Sequence, residues 1–269
     1  MRNLMLCAAL ALPFCSHAQT TDYLDTVLVS GSRTPSTLGK VGSSVTVIDR
    51  STFDFRQADF AVDLLRYVPG ITVSNTGGVG KQTQLRMRGA EGNHVMVMID
   101  GVEANDLAGN DEFEFGNLST ADIERIEVVR GPQSSLWGSD ALAGVINIIT
   151  RKDDGPFHAE ASLDGGSFGT NQQRASLGLH AGRGRMRVGV NRISTAGANI
   201  ARQGHEDDGY HAVTSDLSGA LQVNEALELS LTARNVDSHN QVDSDFITGL
   251  PVDTPGRAKT AQRYVGSHA

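Results

Sequence analysis

Apart from a short N-terminal leader, this chain has no cysteine. Cys7 and Cys15 are its only two. Both fall in a segment with the anatomy of a secretory signal: Arg2, an apolar run from Leu4 to Phe14, and the small-residue site Ser16-His-Ala18. Residues 1–18 are therefore expected to be removed, leaving a chain that needs neither disulfides nor thiolate metal ligands in its oxidising compartment. Lipid attachment at Cys15 does not fit, because Phe14 stands where that processing takes a small residue. No internal run reaches the roughly 18 apolar residues of a spanning helix. That excludes a helical membrane protein but not a β-barrel, whose strands alternate faces. Basic charge is also short: without Arg2, 22 Lys and Arg face 31 Asp and Glu. Nucleic acid demands clustered positive charge, so it is not expected as a partner.

Catalytic constellations are missing too. His94, His158, Asp54 and Ser51 are scattered, and no nucleophile elbow, zinc pair or closely spaced carboxylate pair occurs in its expected context. The glycine-rich run Asn75-Thr-Gly-Gly-Val-Gly80 precedes Lys81, but a phosphate-cradling loop needs glycine at Asn75 and Ser or Thr at Gln82. An enzyme is not expected. The acidic run Glu103 to Glu112 lacks the spacing of an EF-hand loop.

What the chain does contain is ordered. Ile123 to Thr150 reads as strand, tight turn, short helix, second turn, strand. Ile126 and Val128 alternate with Glu127 and Val129 as in a half-buried strand, Gly131-Pro132 breaks the run with Pro132 suited to a first helical position, and Val145 to Thr150 is β-branched. Upstream, Val41 to Asp49 reads as a strand and Asp59 to Val68 as a short helix with Ala61, Leu64, Leu65 and Val68 at helical spacing, stopped by Pro69-Gly70. Gln84 to Arg88 alternates about Leu85 and Met87. Val95 to Ile99 is a buried strand turned by Asp100-Gly101, and Phe113 and Phe115 are placed to anchor the acidic loop. Leu24 to Ser30 is a β-prone run within an extended arm, residues 19–40. It suits either the first strand of the domain or an exposed segment that adds a strand to a partner sheet.

After Pro156 the texture changes to long alternation: Ala159, Ala161, Leu163; Ala175, Leu177, Leu179; Met186, Val188, Val190; Leu217, Leu221; Leu227, Leu229, Leu231, Ala233, each opposed by polar or small residues. Turns at Ala181 to Gly184 and Val223 to Glu225 are short and the other connections are expected to be long, as in outer-membrane barrels.

Through Val68-Pro-Gly-Ile71, Leu85-Arg-Met-Arg-Gly89, Val95 to Val102 and Ile123 to Thr150, the chain resembles the TonB-dependent outer-membrane receptors. The fold this implies is an α+β plug domain followed by antiparallel transmembrane β-barrel strands: plug over 41–152, partial barrel over 157–269. By that resemblance Asp25, Thr26, Val27, Leu28 and Val29 form the segment that pairs with TonB, the energy-transducing partner. Apical loops carrying Asn75, Gly77, Gly78, Asn105 and Asp106 would meet ligand, and Arg88 and Arg130 would dock the plug on the barrel. Asn75-Thr-Gly-Gly78 and Trp137-Gly-Ser-Asp-Ala141 resemble most the cobalamin-type members, implying a corrinoid as ligand, with an iron-siderophore or haem as the alternative. The acidic loops holding Glu206, Asp207, Asp208, Asp243 and Asp245 fall roughly where such members bind calcium, but their spacing differs and they read first as solvated loops.

Family barrels use about 22 strands, and about six are readable here, without a terminal aromatic strand. The chain therefore reads as an N-terminal portion, incomplete as a barrel and in contact with outer-membrane lipid, or as a remnant that does not transport.

Overall fold

The computed structural model describes residues 27–28, 36–107, 109–152, 155–199, 201, 207–243 and 256–269. The leader lies outside them, as do Asp25, Thr26, Val29, Glu206 and Asp245; for Val27 and Leu28 only the backbone is described. In the arm, β1 (Val27–Leu28) runs antiparallel to β2 (Ser36–Thr37), with Val27 opposite Thr37.

The N-terminal domain begins with β3 (Ser44–Asp49), which turns directly into α1 (Arg50–Arg56). The side chain of Asp49 accepts the Thr52 N–H at 2.9 Å, satisfying one of the orphan donors of the first turn. Hydrophobic period does not announce this helix, because Phe53 is its only buried residue. The next helix, α2 (Ala61–Leu65), is shorter than the expected span 59–68. Phe60 is extended and bridges Ser119, so the helix cannot begin earlier. A hairpin of β4 (Ile71–Asn75) and β5 (Thr83–Met87) follows, burying Leu85 and Met87 as the alternation predicts.

The remaining strands are β6 (Val95–Ile99), β7 (Val102–Glu103), β8 (Ile123–Arg130) and β9 (Gly144–Thr150). Together with β3 they form a sheet in the order β3-β8-β9-β6-β7, in which only β6 and β9 run parallel. One face packs against Phe53, Leu64, Leu65 and Met87 through Ile126, Val128, Ile146 and Ile148. The other packs Met96, Met98, Val129 and Val145 against Ala141 and Trp137, which belong to α3 (Ser134–Trp137) and the turn after it. Because both faces are covered, β8 is not half-buried as its alternation suggested: Glu127 is fully buried and paired with Arg125 at 2.9 Å. Pro132 is also not a first helical residue, since α3 begins at Ser134 behind Gln133.

Six long strands make the second sheet, an antiparallel meander in chain order: β10 (Phe157–Gly166), β11 (Thr170–Ala181), β12 (Gly184–Thr195), β13 (Tyr210–Asn224), β14 (Leu227–Val242) and β15 (Gly256–His268). Connections at 182–183 and 225–226 are tight and those at 196–209 and 243–255 are long, as expected. The 167–169 connection differs, because Phe168 and Gly169 take positive φ and turn the chain in three residues. The register aligns Ala159, Leu177, Val188, Leu217, Ala233 and Val265 in one row across all six strands. That apolar row faces outward, Leu177 being 50% and Val265 72% exposed. The opposite face, with Gln172, Arg187, Asn191, Thr232, Arg234 and Ser238, is buried against the N-terminal domain. The sheet is unclosed, with β10 and β15 as its edges.

Candidate functional site

Two loops of the N-terminal domain share one end of it, 76–82 and 104–114, and both are shaped by side chains that the sequence marks as ligand contacts. Asn75 donates from Nδ2 to Thr83 Oγ1 at 3.1 Å and accepts the Gly77 N–H at 2.7 Å, so it builds the turn itself. Asn105 is committed more fully. Its Oδ1 accepts Val97 N–H at 2.8 Å, and its Nδ2 donates to the carbonyls of Asp111 (2.8 Å) and Val95 (3.2 Å). With three hydrogen bonds made to the protein, Asn105 holds the loop in shape. Asp106, Gly77 and Gly78 remain at the surface or close to it, and Asp106 pairs through its backbone with Glu112. Phe113 and Phe115 anchor the second loop as anticipated, edge to face at 4.9 Å with Phe115 buried.

Glu114 ties the two loops together. Its Oε1 accepts Thr83 N–H at 2.9 Å and Gly116 N–H at 2.8 Å. Burial raises its pKa; the two backbone donors oppose that rise and the nearby Glu112 adds to it. Sequence reading missed this residue, although a lone acid between two phenylalanines is a signal for it.

The same end of the domain is clamped to the sheet. Lys81 Nζ lies 3.1 Å from Asp208 Oδ1, and both side chains are buried, at 5% and 3% exposure. Asn240 donates to Gly80 O at 3.0 Å. The Tyr210 ring lies so close to Gly80, which has φ +73, that a Cβ there would fall 1.9 Å from it. Only glycine serves at this position, through both its φ and the approach it allows.

Below this clamp runs a seam of polar contacts. Tyr210 donates to Asn117 Oδ1 at 2.8 Å and Asn191 to Ser119 Oγ at 2.9 Å. Arg234 pairs with Asp122, both buried. Thr232 donates to Asp100 Oδ2 at 2.8 Å, Tyr264 to Ile99 O at 3.0 Å, and Arg174 pairs with Asp59 at 2.9 Å. Further down, a cavity of about 830 Å³ separates Arg125, Trp137 and Asn147 of the domain from Arg185, Arg187 and Ser230 of the sheet.

These residues dock the two parts, and Arg88 and Arg130 do not join them. Arg130 donates within its own domain, to Pro69 O at 2.8 Å and Thr46 Oγ1 at 2.9 Å, and Arg88 is exposed. Among the described residues neither makes an ion pair with the six strands. Arg130 sits at the end of β8 beside the edge strand β3, on hydrogen bonds that keep it in its own domain. Its pKa is lowered by burial and then by the charge of Arg88.

Of the proposed calcium ligands, Asp207 is exposed, Asp243 is partly buried just beyond β14, and Asp208 is engaged by Lys81. The carboxylates that do converge among the described residues are Glu103, Asp111 and Asp140, with ligand atoms within 4.8 Å of one another. Burial raises the pKa of Glu103, and Asp140 and Asp111 raise it further.

A compact α+β domain is thus seated on the polar face of an outwardly apolar meander. Residues 37–145 match the family described as TonB-dependent Receptor Plug Domain. The N-terminal domain is therefore similar to that plug, and the antiparallel strands after it are similar in fold to those of solved receptors. It is similar to the Vitamin B12 transporter BtuB of Vibrio vulnificus (strain CMCP6), 40% identical over 151 residues that cover 56% of this chain and 25% of that protein. Among solved structures it is similar to the ferripyoverdine receptor of the outer membrane of Pseudomonas aeruginosa, with a TM-score of 0.71, 19% identity, and coverage of 91% of this chain and 34% of that one. It is also similar to the ferric yersiniabactin uptake receptor of Yersinia pestis, with a TM-score of 0.64, 20% identity, and coverage of 84% and 38%. The chain thus spans a quarter of that transporter and about a third of those receptors.

Proposed function

We propose that this chain is the N-terminal part of an outer-membrane receptor that captures a scarce ligand outside the cell and imports it with energy delivered through TonB. The observation that carries this reading is the inverted sheet: an apolar row outward, suited to lipid, and a polar face turned onto a plug. A barrel in the outer membrane needs an apolar outer band and tolerates a polar lumen. The ligand is moved and not converted, so no bond in it is made or broken. Ligand would be met at the exposed tips around Gly77, Gly78 and Asp106, on loops shaped by Asn75, Asn105 and Glu114.

A corrinoid such as cobalamin is the proposed ligand, supported by the likeness to the Vitamin B12 transporter. A ferric siderophore is the alternative. The likeness to the solved siderophore receptors, at 19% and 20% identity, is one of fold. Asp25 to Val29 would add a strand to TonB, with main-chain hydrogen bonds giving affinity. In support, Val27 and Leu28 already take extended, paired backbone with Ser36 and Thr37.

The test is uptake of cobalamin and of ferric siderophores by a receptor-null strain carrying the full-length receptor, with and without Val27→Pro. Proline removes a main-chain donor and disfavours strand pairing. Cobalamin uptake abolished by the proline is the expected result. Proline-sensitive siderophore uptake overturns the corrinoid assignment, and uptake indifferent to the proline overturns the coupling role of this segment.

A further inference from the structure

Asp208, in the connection between β12 and β13, meets a cation that belongs to the chain itself. Calcium takes six to eight oxygen ligands, several of them carboxylates with spare negative charge. Asp208 does not offer that, because its Oδ1 lies 3.1 Å from the Lys81 ammonium and both side chains are almost fully buried. An ammonium in place neutralises the carboxylate, supplies three donors and repels a second cation.

Its position is not incidental. Lys81 arrives on a loop held from both sides of the seam: Gly80 O accepts from Asn240 and the Gly80 α-carbon lies against the Tyr210 ring, while Thr83, two residues on, is fixed by Glu114. Asp208 is positioned as firmly. Its main chain lies against Gly197, where a Cβ would meet the Asp208 carbonyl oxygen at 2.1 Å, and the next residue, Gly209, donates to Gln241 Oε1 at 2.9 Å.

We propose that Lys81 is the resident cation of Asp208, binding it in place of calcium, so that the chain entering β13 is fastened to the tip of the plug without a metal. The fastening would be the same whichever ligand the receptor carries, so it stands or falls separately from the corrinoid assignment.

The experiment is hydrogen exchange of residues 207–212 in the full-length receptor, with calcium chloride or with a chelator. Wild-type exchange should be equal in both. Lys81→Met strands a buried carboxylate and should speed exchange roughly a hundredfold, whereas Lys81→Met with Asp208→Leu removes both charges and should bring it back toward wild type. Exchange in residues 214–218 reports whether β13 itself stays formed in each variant. Wild-type exchange that slows on adding calcium overturns the proposal. So does a Lys81→Met receptor that exchanges like wild type, or a double variant as labile as the single one.

Discussion

Ile146 and Leu177 are both aliphatic residues on β-strands, and they end in opposite surroundings. Ile146 sits in the plug sheet with no exposure, while Leu177 stands half exposed on the outer face of the six-stranded sheet. In the plug, apolar residues go inward and the charges go mostly to the surface. In the wall, Arg187, Arg234 and Gln172 go inward and most of the leucines and valines go out, Val236 being a buried exception. An alternating strand fixes which residues share a face, but not which face meets solvent. What settles it here is the partner: the plug supplies Asp122, Ser119 and Asn117 for the wall's polar row to bind.

The largest effect should come from breaking that polar docking. Arg234→Met leaves Asp122 buried without its partner and should cost about 3–5 kcal/mol, whereas Arg234→Met combined with Asp122→Leu should return most of it. Denaturant unfolding of the two variants checks this, and equal losses would mean that the pair is not what holds the seam. Next is a charge on the outer row. Val188→Arg should cost about 2–4 kcal/mol in a lipid bilayer, but stay within about 0.5 kcal/mol if that face were in water. Folding yield into vesicles distinguishes the two. Gly80→Ala puts a methyl into the Tyr210 ring at a positive φ, and a loss of about 1–3 kcal/mol is expected from the overpacking. Gly78→Ala has open space at its Cβ and is the matched control in the same melting experiment.

The smallest effect concerns pH. Because burial raises the pKa of Glu114, the native state holds a proton on it at pH values where the unfolded chain has released one. The cost of burying its charge is therefore full above the raised pKa and is relieved as pH falls through it. Stability measured against pH in the wild type and in Glu114→Gln should differ by this term, with the variant's profile flatter on acidification. A difference of the opposite slope would mean that the backbone donors of Thr83 and Gly116 outweigh the burial.

Much of this was readable in the sequence, because hydrophobic period reports on faces. β5, β6, β9 and the outer row of β10 to β14 follow directly from alternation and β-branched runs. α1 was not readable, since a seven-residue helix with one buried side chain has no period, and its signal is the Asp49 cap alone. Glu127 looked half exposed because its face of β8 is covered by α3 and the turn after it, which nothing local to β8 announces. Docking residues were harder still. Asp122 and Arg234 are 112 residues apart, and nothing local links them, although four arginines at inward positions of the wall, Arg174, Arg185, Arg187 and Arg234, mark a polar face that needs acids. Arg88 and Arg130 stood out by resemblance, yet the six strands do not reach them. Asn105 and Asp208 read as solvated because they lie in loops, and only the folded chain shows the partners their side chains have within the protein.

The most direct test is a nitroxide scan along β12 of the full-length protein in lipid vesicles, placing a label in turn at residues 186 to 191. The expected result is a period of two: oxygen dissolved in the lipid reaches labels at Met186, Val188 and Val190, and labels at Arg187, Gly189 and Asn191 are shielded by the plug. A water-soluble relaxant that reaches Met186, Val188 and Val190 as readily as oxygen does would contradict the inverted sheet, and with it the receptor reading.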